Sequence, residues 1–229
     1  LYTYNDIPPN FHYVGPGTPM GGDDPMVHLF MKDITEGIAG TGIKASFLKC
    51  AIDEPGLVPG VERVLRAVAK THRATGAPIT VHTFVGNQSG LVAQRVLKEE
   101  GVDLRRVVIG HSGDSTDLDY LRTLADEGSL LGMDRFGVDV LLPTADRVST
   151  IAALCREGYA DRMVLAHDAS CYIDWFNPDL IRAVAPNWHY EHISNDVLPA
   201  LRDAGVTQDQ ITTMMETNPR RYFETVEPY

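Results

Sequence analysis

The chain has 229 residues, 44% of them apolar, and a formal charge of −11, enough for one sizeable core in a single domain over residues 1–229. The acidic balance, with no basic cluster to break it, argues against nucleic acid or an anionic membrane surface as partner, since both need Lys and Arg. No run of about 18 apolar residues predicts a membrane span, and Leu1-Tyr2-Thr3-Tyr4 lacks the basic start and apolar stretch of a signal peptide. The three cysteines, Cys50, Cys155 and Cys171, show no paired spacing, which predicts reduced thiols in a cytoplasmic protein.

In chain order, Leu1–Tyr4 reads as a short strand, and a long Gly- and Pro-rich loop follows from Asn10 to Asp24. The spacing of Val27, Phe30, Met31 and Ile34 predicts a helix from Met26 that stops at Gly37. The apolar run Ala45–Leu48 predicts a strand ending in Lys49. Val61, Val64, Leu65, Val68 and Ala69 predict a helix to Thr75, closed by Gly76 and Pro78. A strand at 79–81 ends in His82, and a helix follows over Leu91–Glu100. A strand at 107–110 ends in His111, with a helix through Leu118, Leu121, Leu124 and Ala125 behind it. A strand at 130–133 ends in Asp134-Arg135, then a helix carries Val148, Ile151, Ala152 and Cys155. Met163–Ala166 is a strand that delivers His167-Asp168. Residues 171–192, with Trp175 and Trp188, read as a long aromatic loop. Ser194 is a plausible cap for a helix over Val197–Ala204, and Thr207 and Gln210 fit a capping box for a helix over Ile211–Glu216.

Alternating strands and helices imply parallel strands with right-handed crossovers. Five apolar runs each finish on a group able to bind a metal or a substrate. A barrel enzyme gathers strand ends in that way, whereas an open doubly wound sheet has one switch point. The expected fold is therefore α/β, a (β/α)8 barrel of which six units are present; the first two units are expected to precede residue 1.

The ordered series Phe47-Leu48-Lys49, Val81-His82, Ile109-Gly110-His111-Ser112-Gly113-Asp114, Gly132-Met133-Asp134-Arg135-Phe136-Gly137 and Ala166-His167-Asp168 resembles the phosphotriesterase family of the amidohydrolase superfamily, and within it the phosphotriesterase-like lactonases. The resemblance implies two divalent metal ions, zinc or else cobalt, manganese or iron. It assigns Lys49 as a carboxylated, bridging ligand, His82 and His111 as ligands of one metal, and Asp168 as ligand of the other and proton shuttle. It assigns Tyr2, Arg135 and Trp175 to the lactone pocket. The implied reaction is attack of a metal-bridging hydroxide on a lactone such as an acyl-homoserine lactone, with side activity on organophosphate triesters, in a homodimer. The family's first-strand His-x-His pair has no counterpart in this sequence, which motivates the alternatives of a phosphotriesterase proper and of a non-catalytic fragment with an incomplete metal site.

The residues carry blander readings too. Lys49 alone is a lysine reaching solvent, and His82 or His111 alone is a satisfied core histidine. Asp168 is a possible helix N-cap, and Asp134-Arg135 an ion pair bracing the barrel rim. His28, His72, His189 and His192 read as surface or structural.

Overall fold

The computed structural model describes residues 24–172, 177–224 and 227–229. Its strands are β1 (Leu48–Ile52), β2 (Ile79–Thr83), β3 (Val107–Gly110), β4 (Leu130–Met133) and β5 (Met163–Leu165), in chain order across one five-stranded parallel sheet. That is the α/β architecture expected of a partial (β/α) barrel; the sixth expected strand, Leu1–Tyr4, lies outside the described residues. No helix among the described residues is long and apolar enough to cross a membrane. The chain divides into two compact units, one reaching to Ile109 and joined by Arg221–Tyr229, the other running from Gly110 to Arg220.

In the first unit, α1 (Pro25–Thr35) starts at Asp24, whose carboxylate accepts from the Met26 amide at 3.0 Å. Helix α2 (Pro59–Thr75) buries its predicted stripe, Val61, Val64, Leu65, Val68 and Ala69, and packs on β1. It ends where Gly76 turns left-handed, φ +71°, and returns its N–H to the His72 carbonyl. A residue with a Cβ resists that conformation, which is why the glycine stops the helix. Helix α3 (Ser89–Glu99) follows β2.

His72 is fully buried. Its Nδ1 is 2.7 Å from the Ala77 carbonyl and its Nε2 2.7 Å from the Tyr229 hydroxyl, which accepts from the Asp103 amide at 2.8 Å. A carbonyl only accepts, so Nδ1 carries the proton and the tyrosine donates to Nε2. The ring is neutral, and burial holds its pKa below the usual histidine value. The expectation that His72 is structural holds.

One strand reading is corrected. Lys49 does not end a strand over 45–48; it is the second residue of β1, which runs on through Cys50, Ala51 and Ile52. Those three are almost fully buried, so the apolar run continues past the lysine, and the strand closes at Asp53 instead.

In the second unit, α4 (Leu118–Asp126) is capped by Asp117, and α5 (Thr144–Arg156) lies between β4 and β5. The entry to β5 is anchored by Asn218, fully buried at the start of α9 (Asn218–Phe223). Its side-chain amide donates to the Ala160 carbonyl at 2.9 Å and the Met163 carbonyl at 2.7 Å. The predicted capping box is present: Thr207 Oγ1 accepts from the Gln210 amide, and Gln210 Oε1 from the Thr207 amide, opening α8 (Gln208–Thr212).

Two readings here need correction. The stretch expected to be loop contains α6 (Pro178–Val184), capped by Asn177; its seven residues are too few for periodicity to show. Ser194 caps nothing. The chain is already helical there, in a π-helical turn (Ile193–Val197) leading into α7 (Leu198–Asp203), and the Ser194 hydroxyl donates back to the Glu191 carbonyl. Back-bonding of this kind is the usual fate of serine inside a helix.

Candidate active site

In the first unit the parallel register pairs Lys49 with Thr80 and Ala51 with His82. Paired residues point to one face of a sheet and side chains alternate, so Lys49 and His82 share a face, two register positions apart. Lys49 is half-buried and its ammonium donates to the Cys50 carbonyl at 2.9 Å. His82, the fourth of five residues in β2, is buried, and its Nε2 lies 3.1 Å from Asp53 Oδ2. Sequence reasoning missed Asp53. The signal was available: it is the acid that ends the apolar run once the lysine is allowed inside the strand.

In the second unit His111 directly follows β3. Its Nδ1 lies 2.9 Å from Asp134 Oδ1, and its backbone amide donates to the same carboxylate at 2.8 Å. Asp134 is thus committed to His111, and the alternative reading of Asp134-Arg135 as an ion pair is not met. Arg135 instead donates from Nη1 to Asp114 Oδ2 at 2.8 Å, and its Nε is 3.7 Å from Asp168 Oδ2. The second oxygen of Asp114 accepts from Arg147 Nη1 at 2.6 Å. Asp168 caps no described helix; its side chain is 52% exposed.

Backbone conformation marks two of these residues. His111 (φ +65°) and Asp168 (φ +56°) are left-handed, as are two exposed residues of the first unit, Ala39 and Gln88. Left-handed non-glycine backbone costs energy and persists where surrounding contacts enforce it. The contacts are visible. The loop after β3 presses on β4 so closely that a Cβ on Gly113 would meet Met133 Cα at 2.9 Å. The loop after β4 bears on 187–188, where a Cβ on Gly137 would collide with the Asn187 carbonyl. Trp188 in turn donates its indole N–H to the His167 carbonyl at 2.6 Å, beside Asp168.

The residues named for the site therefore fall into two sets, Lys49 and His82 in one unit, His111, Arg135 and Asp168 in the other. Tyr2 and Trp175 lie outside the described residues. No group of three or more His, Cys, Asp or Glu that could hold a metal occurs among the described residues. The donors still suit a divalent cation in kind. Imidazole and carboxylate are its common ligands, and a ring nitrogen held by a carboxylate, as His111 is by Asp134 and His82 by Asp53, is the usual support of a metal-binding histidine.

A parallel α/β fold that carries imidazoles and carboxylates in and just beyond its strands is a scaffold on which a hydrolase site can be built. Residues 1–223 match the phosphotriesterase family, and the chain belongs to that family. It is similar to the phosphotriesterase of Mycobacterium tuberculosis, whose solved structure agrees with TM-score 0.96 and 59% identity over 100% of this chain and 71% of that one. An aryldialkylphosphatase of Saccharolobus solfataricus is 40% identical over 225 residues, 97% of this chain and 69% of that protein. A mutant PTE-like lactonase of Deinococcus radiodurans is 36% identical with TM-score 0.78 over 86% of this chain and 63% of that one.

Proposed function

We propose that this chain belongs to a hydrolase that opens lactone rings and acts more slowly on organophosphate triesters. Lys49, in carboxylated form, His82, His111 and Asp168 would hold two divalent cations. When bound, such a pair supplies an acidified water and polarises the carbonyl under attack. The observation that carries the reading is the half-exposed Asp168 carboxylate facing Arg135, which Asp114 holds from behind. Asp168 accepts the proton released as water oxygen bonds to the ring carbonyl carbon. It returns that proton to the ring oxygen as the C–O bond breaks. Arg135 carries a planar guanidinium, and its part is to orient Asp168 and to meet negative charge growing on the ring. Tyr2 and Trp175 would line the pocket, in a cytoplasmic homodimer.

A second reading, preference for an aryl dialkyl phosphotriester, draws on the name of the Saccharolobus relative. The test uses the protein in its full natural length. About two metals per chain, a higher kcat/KM for an aliphatic lactone than for an aryl phosphotriester, and a loss of about 10³-fold in Asp168→Asn are expected. Preference for the triester reverses the ranking. A metal-free protein without turnover on either substrate overturns the proposal in favour of a non-catalytic binding fragment.

A further inference from the structure

Arg147 is a charged residue in a place that stability alone does not explain. It occupies the apolar face of α5, four residues before Ile151 and seven before Leu154, and is 2% exposed. Its Nε donates to the Leu142 carbonyl at 3.0 Å, and its Nη1 to the Gly113 carbonyl and Asp114 Oδ1, both at 2.6 Å. Its Nη2 has no hydrogen-bond partner. A buried guanidinium with an unmet N–H is costly, and an apolar side chain of similar volume often serves a core at least as well.

What the arginine does achieve is to occupy one particular oxygen. A carboxylate with both oxygens open to a guanidinium favours the two-bond fork. Asp114 does not form one with Arg135, because Oδ1 belongs to Arg147. Arg135 is left with a single bond, Nη1 to Oδ2, and its Nε is directed to Asp168 at 3.7 Å. We propose that Arg147 is a positioning residue: by blocking the Arg135–Asp114 fork it keeps the Arg135 guanidinium turned towards Asp168. Its contacts to Gly113 and Leu142 fix the loops after β3 and β4 in the same act. The consequence for rate rests on the hydrolase reading above.

The test is Arg147→Met, alone and on an Asp114→Ala background, in the full-length metal-loaded protein. Methionine fills the volume without a donor. Lactone kcat should fall about 30-fold with KM within about threefold of wild type, since the loss is in alignment. On the Asp114→Ala background the same change should cost less than about twofold, because no fork can form there. A crystal structure of Arg147→Met should show Arg135 forked onto Asp114, its Nε withdrawn from Asp168. Arg147→Lys, the gentler change, should restore part of kcat by keeping one donor on Oδ1. Wild-type kcat in Arg147→Met, an equal loss on both backgrounds, or an unmoved Arg135 overturns the inference. If Arg147→Met does not fold, a Lys variant whose structure leaves Asp114 Oδ1 unoccupied and Arg135 still turned towards Asp168 does so. A wild type inactive on lactone and triester defeats the proposed function, and the Arg135 conformation in the variant still decides the positioning claim.

Discussion

The two units hold their polar residues by different means. In the first, Lys49 and His82 ride inside regular strands, and ladder pairing with alternating burial sets where they point. In the second, His111, Asp134, Arg135 and Asp168 stand beyond the strand ends, two of them in left-handed backbone, and hydrogen bonds with close backbone approaches hold them. A strand needs only a repeating pattern to place a side chain. A strained loop needs a specific partner at every step, and among the described residues of the second unit Arg147–Asp114, Arg135–Asp114 and His111–Asp134 supply them.

The strongest way to break this contrast is Gly137→Ala. A Cβ there has nowhere to go, with Asn187 C at 2.5 Å and Trp188 Cα at 2.7 Å, and φ is +93°. Unfolding in urea should show a loss of about 3 kcal/mol. Gly158→Ala has a similar φ, +96°, but open space around it, and should cost about 1 kcal/mol. Equal losses at both sites would mean that the approach of the β4 loop to Trp188 is not what holds it.

A smaller effect sharpens the picture of the first unit. His72 is neutral when folded, with its pKa lowered by burial, and the nearby Arg106 also lowers it while Asp103 opposes. In the unfolded chain histidine protonates near pH 6.5 or so, roughly its reference value. The contribution is therefore intact above that value. It is lost as pH falls below it, because the unfolded state takes up a proton that the folded state refuses. The urea midpoint should drop between pH 7.5 and 5.5 (values of about one unit either side of that reference), and His72→Gln should make the drop shallower. An unchanged slope would remove His72 from the account.

The smallest effect concerns the thiols. Burial pushes Cys50 up to about 12 and Cys155 up to about 11, while Cys171 is exposed. At pH 8 a thiol reagent should modify Cys171 quickly and the other two only on unfolding, since a neutral buried thiol is a poor nucleophile. Rapid modification of Cys50 would show that β1 opens readily.

Much of this was legible in the sequence because periodicity is a local signal. Five strands, the stop at Gly76, and the capping box at Thr207 all follow from spacing. The errors arise where one residue type served two purposes. Lys49 looked like a terminus because a charge usually ends a buried run, and only its neighbours Cys50 to Ile52 say otherwise. Asp134 beside Arg135 looked like an ion pair, yet adjacent residues beyond a strand rarely face each other, and each found a partner about twenty positions upstream. Arg147 was hidden by its helix. A charge on the apolar stripe, four before Ile151, was the available clue, but its partners lie in two loops that no spacing connects.

Asn218 has a practical consequence. It clamps the carbonyls on either side of the entry to β5, whereas the exit of that strand carries Asp168. The strand is thus moored at one end and, on the hydrolase reading proposed above, would do its chemistry beyond the other. On that reading, changes after Asp168 should alter substrate scope while the mooring preserves the strand's alignment. A library confined to that segment should retain folded protein far more often than one that includes position 218.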